Sequence, residues 1–325
     1  MQPKYQILAG SVDITNKIAD RLLSLSITDE AGLDSDTLTI VLDDRDNQFA
    51  LPEQGAELSV SIGIDEHIAD KGVYTVDELI ISSSPDTIEI RAKAADMRAS
   101  LKERRTGSWD NETLGSILES VAGRNGLTPA IAPKLASLVI THLDQTNEHD
   151  LHLVSRLAKE HDAVGKVATS HLLFTTKGDS KSASGKQLPV VVVKKDEISS
   201  IQVVMADRGK YQSTQAFWHD HSTGEQVAVN VGSDEPVFKL KHTYDDEGTA
   251  TRAAEAKLIS LQRGTSTGSL TMPCTSNSLD VLAESKLILQ GFRSGIQGEW
   301  VVTRTQYELS GSGLTLSIEF ETPNK

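Results

Sequence analysis

The residues with most chemical promise are two histidine pairs. His149 and His152 stand three apart, with Glu148, Glu160 and His161 close by. On a helix that spacing brings two imidazoles within reach of one metal ion. The His-Glu-x-x-His order of helical zinc sites is absent, and a solvated or interfacial pair is the plainer reading. Trp218-His219-Asp220-His221 places two histidines on one face of a strand, beside a turn at Gly224. Here too a surface pair is the plainer reading. Gly178 and Gly185-Lys186 have six residues between the glycines, and Gln187 follows the lysine. A phosphate loop of the Walker type needs four, then Ser or Thr. No Gly-x-Ser-x-Gly elbow occurs. Carboxylates are plentiful, but a glycosidase pair is defined by its separation in space. The acidic run at 43–46 lacks the ligand spacing and closing Glu of a calcium loop, and reads as a turn. No catalytic, metal-ligating or cofactor-binding residue is assigned, and the chain is expected not to be an enzyme.

Bulk properties narrow the partners. The 325 residues carry a net charge of −14, which removes the phosphate-neutralising cations on which nucleic-acid affinity rests. The same acidity argues against an anionic membrane surface. Lys102-Glu103-Arg104-Arg105 is the one basic cluster of note and reads as a solvated face. Cys274 is the single cysteine, so neither an intramolecular disulfide nor a cysteine metal site can form within one chain. Residues 1–10 lack the regions of a signal peptide, and no apolar run reaches bilayer length. Folding in a host cytoplasm is expected.

The elements that must position any site change period along the chain. Residues 21–28, 36–42, 57–64, 72–81 and 87–92 alternate apolar with polar, the mark of strands with one buried face. Turn residues divide them, which predicts a small barrel or sandwich. Leu114, Ile117, Leu118, Val121 and Ala122 then follow helical spacing, with Asp110 or Asn111 as cap and Gly123 and Gly126 at the end. A second helix is predicted after Asn147, with Leu151, Val154, Leu157 and Ala158 on one face. A hairpin at 164–176 and a polar loop at 178–186 complete this α+β stretch. Strand patterns return at 198–206, 209–218 and 225–230. A third helix at 250–262 closes at Gly264, and strands follow at 266–272, 285–291, 300–309 and 314–321.

The first and last β regions resemble each other. Gly72-Val-Tyr-Thr-Val leads through a Ser-Pro-Asp turn to Thr87-Ile-Glu-Ile-Arg. Gly298-Glu-Trp-Val-Val leads through a Ser-Gly turn to Leu314-Thr-Leu-Ser-Ile-Glu. Gly72 aligns with Gly298, Tyr74 with Trp300, and Val76 with Val302. Tyr74 and Trp300 are therefore expected at equivalent core positions of a duplicated module.

The same segments carry a family resemblance. Ser26-Ile-Thr-Asp-Glu, Asp36-Thr-Leu-Thr-Ile-Val-Leu-Asp-Asp-Arg-Asp46, Tyr74-Thr-Val-Asp-Glu-Leu79 and Ile90-Arg-Ala-Lys-Ala-Ala-Asp-Met-Arg98 are the first four. Lys102-Glu-Arg-Arg-Thr-Gly-Ser-Trp109, Asp144-Gln-Thr-Asn-Glu-His-Asp-Leu-His-Leu153, Ser182-Ala-Ser-Gly-Lys186, Gly291-Phe-Arg293 and Gly298-Glu-Trp-Val-Val-Thr-Arg304 follow in order. The chain resembles the late control D proteins of contractile-tailed phages, cousins of the hub part of type VI secretion spike proteins. The resemblance implies an α+β, mainly β fold: two tube-like β-barrel domains at 1–98 and 194–325, and an inserted α+β domain at 99–193. The second barrel carries the helical insertion near 250–263. It also implies a homotrimeric ring around a channel, adapting a sixfold tail tube to a threefold central spike within a virion or tail particle. The expected partners are the spike, the tube protein and other baseplate proteins. The chain stops at Lys325 without needle repeats, so the spike is expected to be a separate protein. Thr37, Thr39, Ser59 and Ser61, on the polar faces of two strands, are candidates for the channel wall. Two other functions compete with the structural hub: a tail-associated peptidoglycan hydrolase and a receptor-binding β-module. Digestion of peptidoglycan, or binding to intact cells, by the isolated protein would favour one or the other.

Overall fold

A computed structural model of the chain describes residues 2–32, 36–94, 99–168, 170–182, 186–205, 211–233, 235–263 and 266–323. The fold is α+β and mainly β. The first stretch holds β1 (Pro3–Ala9), β2 (Val12–Asp13), α1 (Thr15–Ile18), β3 (Leu22–Glu30), β4 (Thr37–Asp43), β5 (Glu57–Ile64), β6 (His67–Ser82) and β7 (Thr87–Ala94). Next come β8 (Arg104–Thr113), α2 (Leu114–Arg124), β9 (Thr128–Ile131), α3 (Pro133–Ala136), β10 (Val139–His149), α4 (Asp150–Glu160), β11 (Ala163–Ala168) and β12 (His171–Thr176). The last stretch holds β13 (Val190–Lys194), β14 (Ser200–Met205), β15 (Ser213–Asp220), β16 (Glu225–Gly232), β17 (Val237–Tyr244), α5 (Glu247–Gln262), β18 (Ser266–Pro273), β19 (Lys286–Gln290), β20 (Gly298–Ser310) and β21 (Gly313–Glu321).

Contacts divide the chain into two compact units. The first comprises Met1–Met97, Pro189–Val203 and Gly268–Phe320. Among the described residues, 13 strands join one sheet, in the order β14-β18-β21-β20-β3-β4-β7-β6-β5-β1-β2, with β19 bonded to β20 and β13 to β19. Two sets of five strands lie within it, β3 to β7 and β14 with β18 to β21. Numbered along the chain, each set has the spatial order 1-2-5-4-3. The sets meet where residues 304–310 of β20 run antiparallel to residues 24–30 of β3.

Period-two alternation builds the core of this unit, because successive side chains point to opposite faces of a strand. Leu38, Ile40 and Leu42 of β4, Leu58, Val60 and Ile62 of β5, and Ile88, Ile90 and Ala92 of β7 are buried. Leu314, Leu316, Ile318 and Phe320 of β21 join them in one cluster. A large and a small side chain meet across the second and fifth strands of each set. Leu38 stands opposite the small Ala92. Gly268 stands against the large Phe320, so close that a methyl group there would lie 2.5 Å from the ring.

The second unit comprises Arg98–Leu188, Val204–Thr267 and Glu321–Lys325. It holds a β8–β10 ladder, a β11-β12-β9 sheet and a β16-β15-β17 sheet. In the last, Ala250 and Ala254 of α5 pack with Ala216 of β15, three small side chains that let helix and strand approach.

Several expected boundaries move. Asp110 and Asn111 lie inside β8, because its ladder with β10 runs as far as Thr113. Thr113 caps α2 instead, its side chain accepting from the Ser116 N–H. The second helix starts at Asp150 and buries Leu153 where Leu151 was expected. The third starts at Glu247, capped by Asp246. Packing also departs from chain order. Residues 189–203 group with the first unit because β13 pairs parallel with β19, and residues 204–267 group with the second. The stretches 95–98, 183–185 and 206–210, and Gly264, lie outside the described residues.

Candidate functional site

The two histidine pairs are positioned differently from one another. His149 occupies the N-cap of α4 with an extended backbone, so it does not share a helix face with His152. His152 Nδ1 lies 2.5 Å from Glu148 Oε1, and Arg156 donates to the same carboxylate at 2.9 Å. His219 and His221 stack edge to face, 5.1 Å between ring centroids. Among the described residues, no group of three or more His, Cys, Asp or Glu side chains is placed to hold a metal ion.

A cleft of about 250 Å³ opens in the second unit, lined by Arg156, Glu160, His161, His242 and Asp246 among others. Burial pushes the His161 pKa down to about 4, helped by the charge of Arg252. Burial pushes the Glu160 carboxyl up, and Arg156 partly offsets it. Asp246 accepts from the Thr249 N–H at 2.9 Å and from Thr141 Oγ1 at 2.8 Å, so it serves as a helix cap. Nearby, the fully buried Asp150 accepts from Arg124 Nε at 2.8 Å, Asn125 Nδ2 at 2.7 Å and Gln145 Nε2 at 2.9 Å. No sequence pattern marks Asp150, because its partners come from separate elements. These carboxylates are engaged in holding the unit together.

The large sheet of the first unit offers a different kind of surface. One face is the apolar core, and the other is polar. Thr37 and Thr39 alternate with Leu38 and Ile40 along β4, and Ser59 and Ser61 alternate with Leu58, Val60 and Ile62 along β5. All four are half-buried. Neighbouring strands extend this face: Thr39 pairs with Ser26 on one side and Arg91 on the other. Farther along, Gln306 donates to Ser26 Oγ at 3.0 Å and Thr271 Oγ1 lies 3.1 Å from Ser317 Oγ. The cations here sit against carboxylates: Arg91 lies 2.7 Å from Glu89, Lys93 2.5 Å from Asp77, and Arg304 2.8 Å from Glu30.

Tyr74 and Trp300 are both buried, at the fourth strand of their respective sets. Tyr74 pairs with Leu58, and its hydroxyl donates back to the Lys71 carbonyl at 2.8 Å. Trp300 pairs with Leu287, and its indole N–H donates back to the Ile296 carbonyl at 2.8 Å. Two residues on, Val76 exchanges hydrogen bonds with Gly55 and Ala56, and Val302 does so with Glu284 and Ser285. Gly55 and Glu284 both have positive φ, 85° and 66°.

A long mixed sheet with an apolar face, a polar face and open edges, and acids committed to structure, define a component of an assembly. Comparison with known proteins agrees. The family profile of the phage tail baseplate hub matches residues 37–313, and the chain belongs to that family. It is 33% identical to the probable baseplate hub protein of Escherichia phage P2, over 99% of this chain and 93% of the relative. The corresponding protein of Escherichia phage 186 is 31% identical over the same shares. Among solved structures, the 43 kDa tail protein of prophage MuSo2 from Shewanella oneidensis superposes with a TM-score of 0.74 at 16% identity, over 99% of both chains. A component of the E. coli type VI secretion system, the c3393 protein, described as similar to T4 tail proteins gp27 and gp5, gives 0.56 at 12% identity, over all of this chain and 77% of that one. These two share the fold.

Proposed function

We propose that this baseplate hub protein has no catalytic role and works as a homotrimeric ring that adapts a sixfold tail tube to a threefold central spike. The observation that carries the reading is the strand order 1-2-5-4-3, which occurs twice in one chain. Three chains then present six similar modules, which matches a sixfold partner on one side while the chain count matches a threefold partner on the other. Gly72 with Gly298, Tyr74 with Trp300, and Val76 with Val302 are the equivalent positions of the duplicated module. The tandem organisation as barrel, insertion and barrel at 1–98, 99–193 and 194–325 describes how the chain was put together. The two units describe how it packs.

Thr37, Thr39, Ser59 and Ser61 are proposed to line the channel of the ring. Small hydroxyl side chains and paired charges give a polyanionic cargo no array of cations to release counterions onto, so it passes without being held. A central spike protein, the tube protein and other baseplate proteins are the proposed partners. The test is the mass of the purified full-length protein by sedimentation across a concentration series. Three copies are expected. A monomer at every concentration would overturn the ring.

A further inference from the structure

We infer that the cleft of the second unit, walled by β10, α4, β17 and the start of α5, is a docking site for an arginine side chain of another protein in the particle. The inference does not rest on the ring or its channel. It rests on the charge, the walls and the size of the cleft.

Four carboxylates line the cleft, Asp144, Glu160, Asp245 and Asp246, against one permanent cation, Arg156. Two of the four are already committed. Asp246 caps α5, and Asp144 lies 3.3 Å from His142 Nε2. The charge on His142 is matched by Asp110 on its other nitrogen, at 2.6 Å. Arg156 is committed as well. Its Nε and Nη2 lie 3.2 and 2.9 Å from the Glu148 carboxylate, and Nη2 also donates to the Asp144 carbonyl at 2.8 Å. Only its Nη1 approaches Glu160, at 3.7 Å, too long for a hydrogen bond. Asp245 is exposed and makes no ion pair or side-chain hydrogen bond among the described residues. His161 is held neutral by burial and adds no positive charge. Glu160 and Asp245 therefore face the cleft without a close cation. Burial raises the Glu160 pKa, as expected of a carboxylate short of compensating charge. The charge of the cleft repels anions and favours a cation.

The walls select among cations. His242 and Tyr244 stand two apart on β17 and share one face, with ring centroids 4.8 Å apart, edge to face. The Glu160 charge adds to burial in pushing the Tyr244 hydroxyl up to about 12, and His242 acts on Glu160 in turn. The aromatic pair and the carboxylate are thus neighbours in the cleft. Leu143, Leu157 and Ala253 supply apolar surface beside them. A guanidinium is planar and weakly hydrated, so it can lie against a ring while two of its N–H groups bond one carboxylate. An ammonium is compact and strongly hydrated, and gains less from such walls.

Size points to the source. The volume of about 250 Å³ falls below the roughly 300–1,000 Å³ of sites that enclose small molecules. It admits one side chain reaching in from outside. The chain belongs to a family of assembly components, and arginine is enriched among the side chains that anchor protein interfaces. In the docked state the guanidinium bonds Glu160 and lies against the His242–Tyr244 pair, with Asp245 at the rim.

The probe is Nα-acetyl-arginine amide, titrated into the full-length protein and followed by saturation-transfer NMR. Weak, saturable binding is expected. The lysine analogue, and the citrulline analogue of the same shape without charge, are expected to bind about tenfold more weakly or less. E160Q is expected to weaken the arginine probe by a similar factor. D245N changes an exposed side chain and is expected to weaken it by about twofold to fivefold. E119Q, an exposed carboxylate on α2, is expected to leave binding unchanged. Free L-arginine has the same net charge as the probe and separates the two sources of a guanidinium. Binding of free arginine about tenfold tighter than the amide would make the cleft a small-molecule site and overturn docking of a protein side chain. Absence of saturable binding, equal binding of the lysine or citrulline analogue, or undiminished binding by E160Q or by D245N would also overturn it.

Discussion

The exchange of volume between Leu38–Ala92 and Gly268–Phe320 can be reversed experimentally. Phe320 is 1% exposed and its ring lies edge to face with Trp300 at 5.0 Å, so Phe320→Ala should cost about 3–5 kcal/mol. Gly268→Leu should cost about 1–3 kcal/mol or more. Its Cβ alone would lie 2.5 Å from the Phe320 ring and 2.9 Å from the Gln202 carbonyl. If the halves are copies of one module, Gly268→Leu with Phe320→Ala installs in the second half the pair that already packs in the first. The double variant should then be more stable than the sum of the single losses predicts, by at least about 1 kcal/mol, as expected for residues that share a cavity. Urea unfolding would be followed by the fluorescence of Trp300, with Trp109 and Trp218 replaced by Phe so that only the first unit is seen. Additive losses would refute the reasoning, because they would mean that leucine at 268 does not enter the volume left by Phe320.

Two further outcomes are expected. His161 has its folded pKa pushed down to about 4, below an unfolded value near 6.5, so the unfolded chain binds the extra proton. Stability from this group is full above pH 6.5 and falls as pH drops toward 4. Melting temperatures of H161Q should vary less than wild type over that window, and an unchanged slope would count against the assignment. On the polar face, Thr39→Lys with Ser61→Lys should create salt-sensitive binding of a duplex oligonucleotide, read by fluorescence anisotropy, where the wild type binds none. Binding by the wild type at physiological salt, or none by the variant, would argue against these residues as the channel wall.

Legibility of the fold in the sequence followed one-sided burial. β4, β5, β7 and β21 each have a face in the core and a face outside it, and their alternation shows as period two. β8 has almost no buried residue, so nothing in Arg104–Thr113 marks a strand, and Asp110 and Asn111 looked like helix caps. β13 is four successive valines and a lysine, a run whose period cannot be read. The polar-face residues Thr37, Thr39, Ser59 and Ser61 were visible because alternation assigns both faces at once. The open edges were not. Glu78-Leu-Ile-Ile81 reads the same whether or not a neighbour lies beside it, and only the strand order shows that β5 departs before residue 78.

The same order explains how the fold persists when identity does not. A relative at 33% identity and a solved structure at 16% identity both align over 99% of this chain. Within the chain, Leu38–Ala92 lies across the second and fifth strands of one set and Gly268–Phe320 across the second and fifth strands of the other, and the pairs share no residue. Each pair places one large and one small side chain across adjacent strands of the core, and close packing constrains that summed volume more tightly than it constrains which strand supplies it. Gly55 and Glu284 show the backbone counterpart, a positive φ kept at matching hydrogen bonds to Val76 and Val302 although only one of the two is glycine. What the sheet conserves is therefore the face of each side chain, the volume across each strand pair and the turn that lets the fourth strand change neighbours. The last of these marks the point at which β20 leaves β19 for β3 and at which β5 departs from β6.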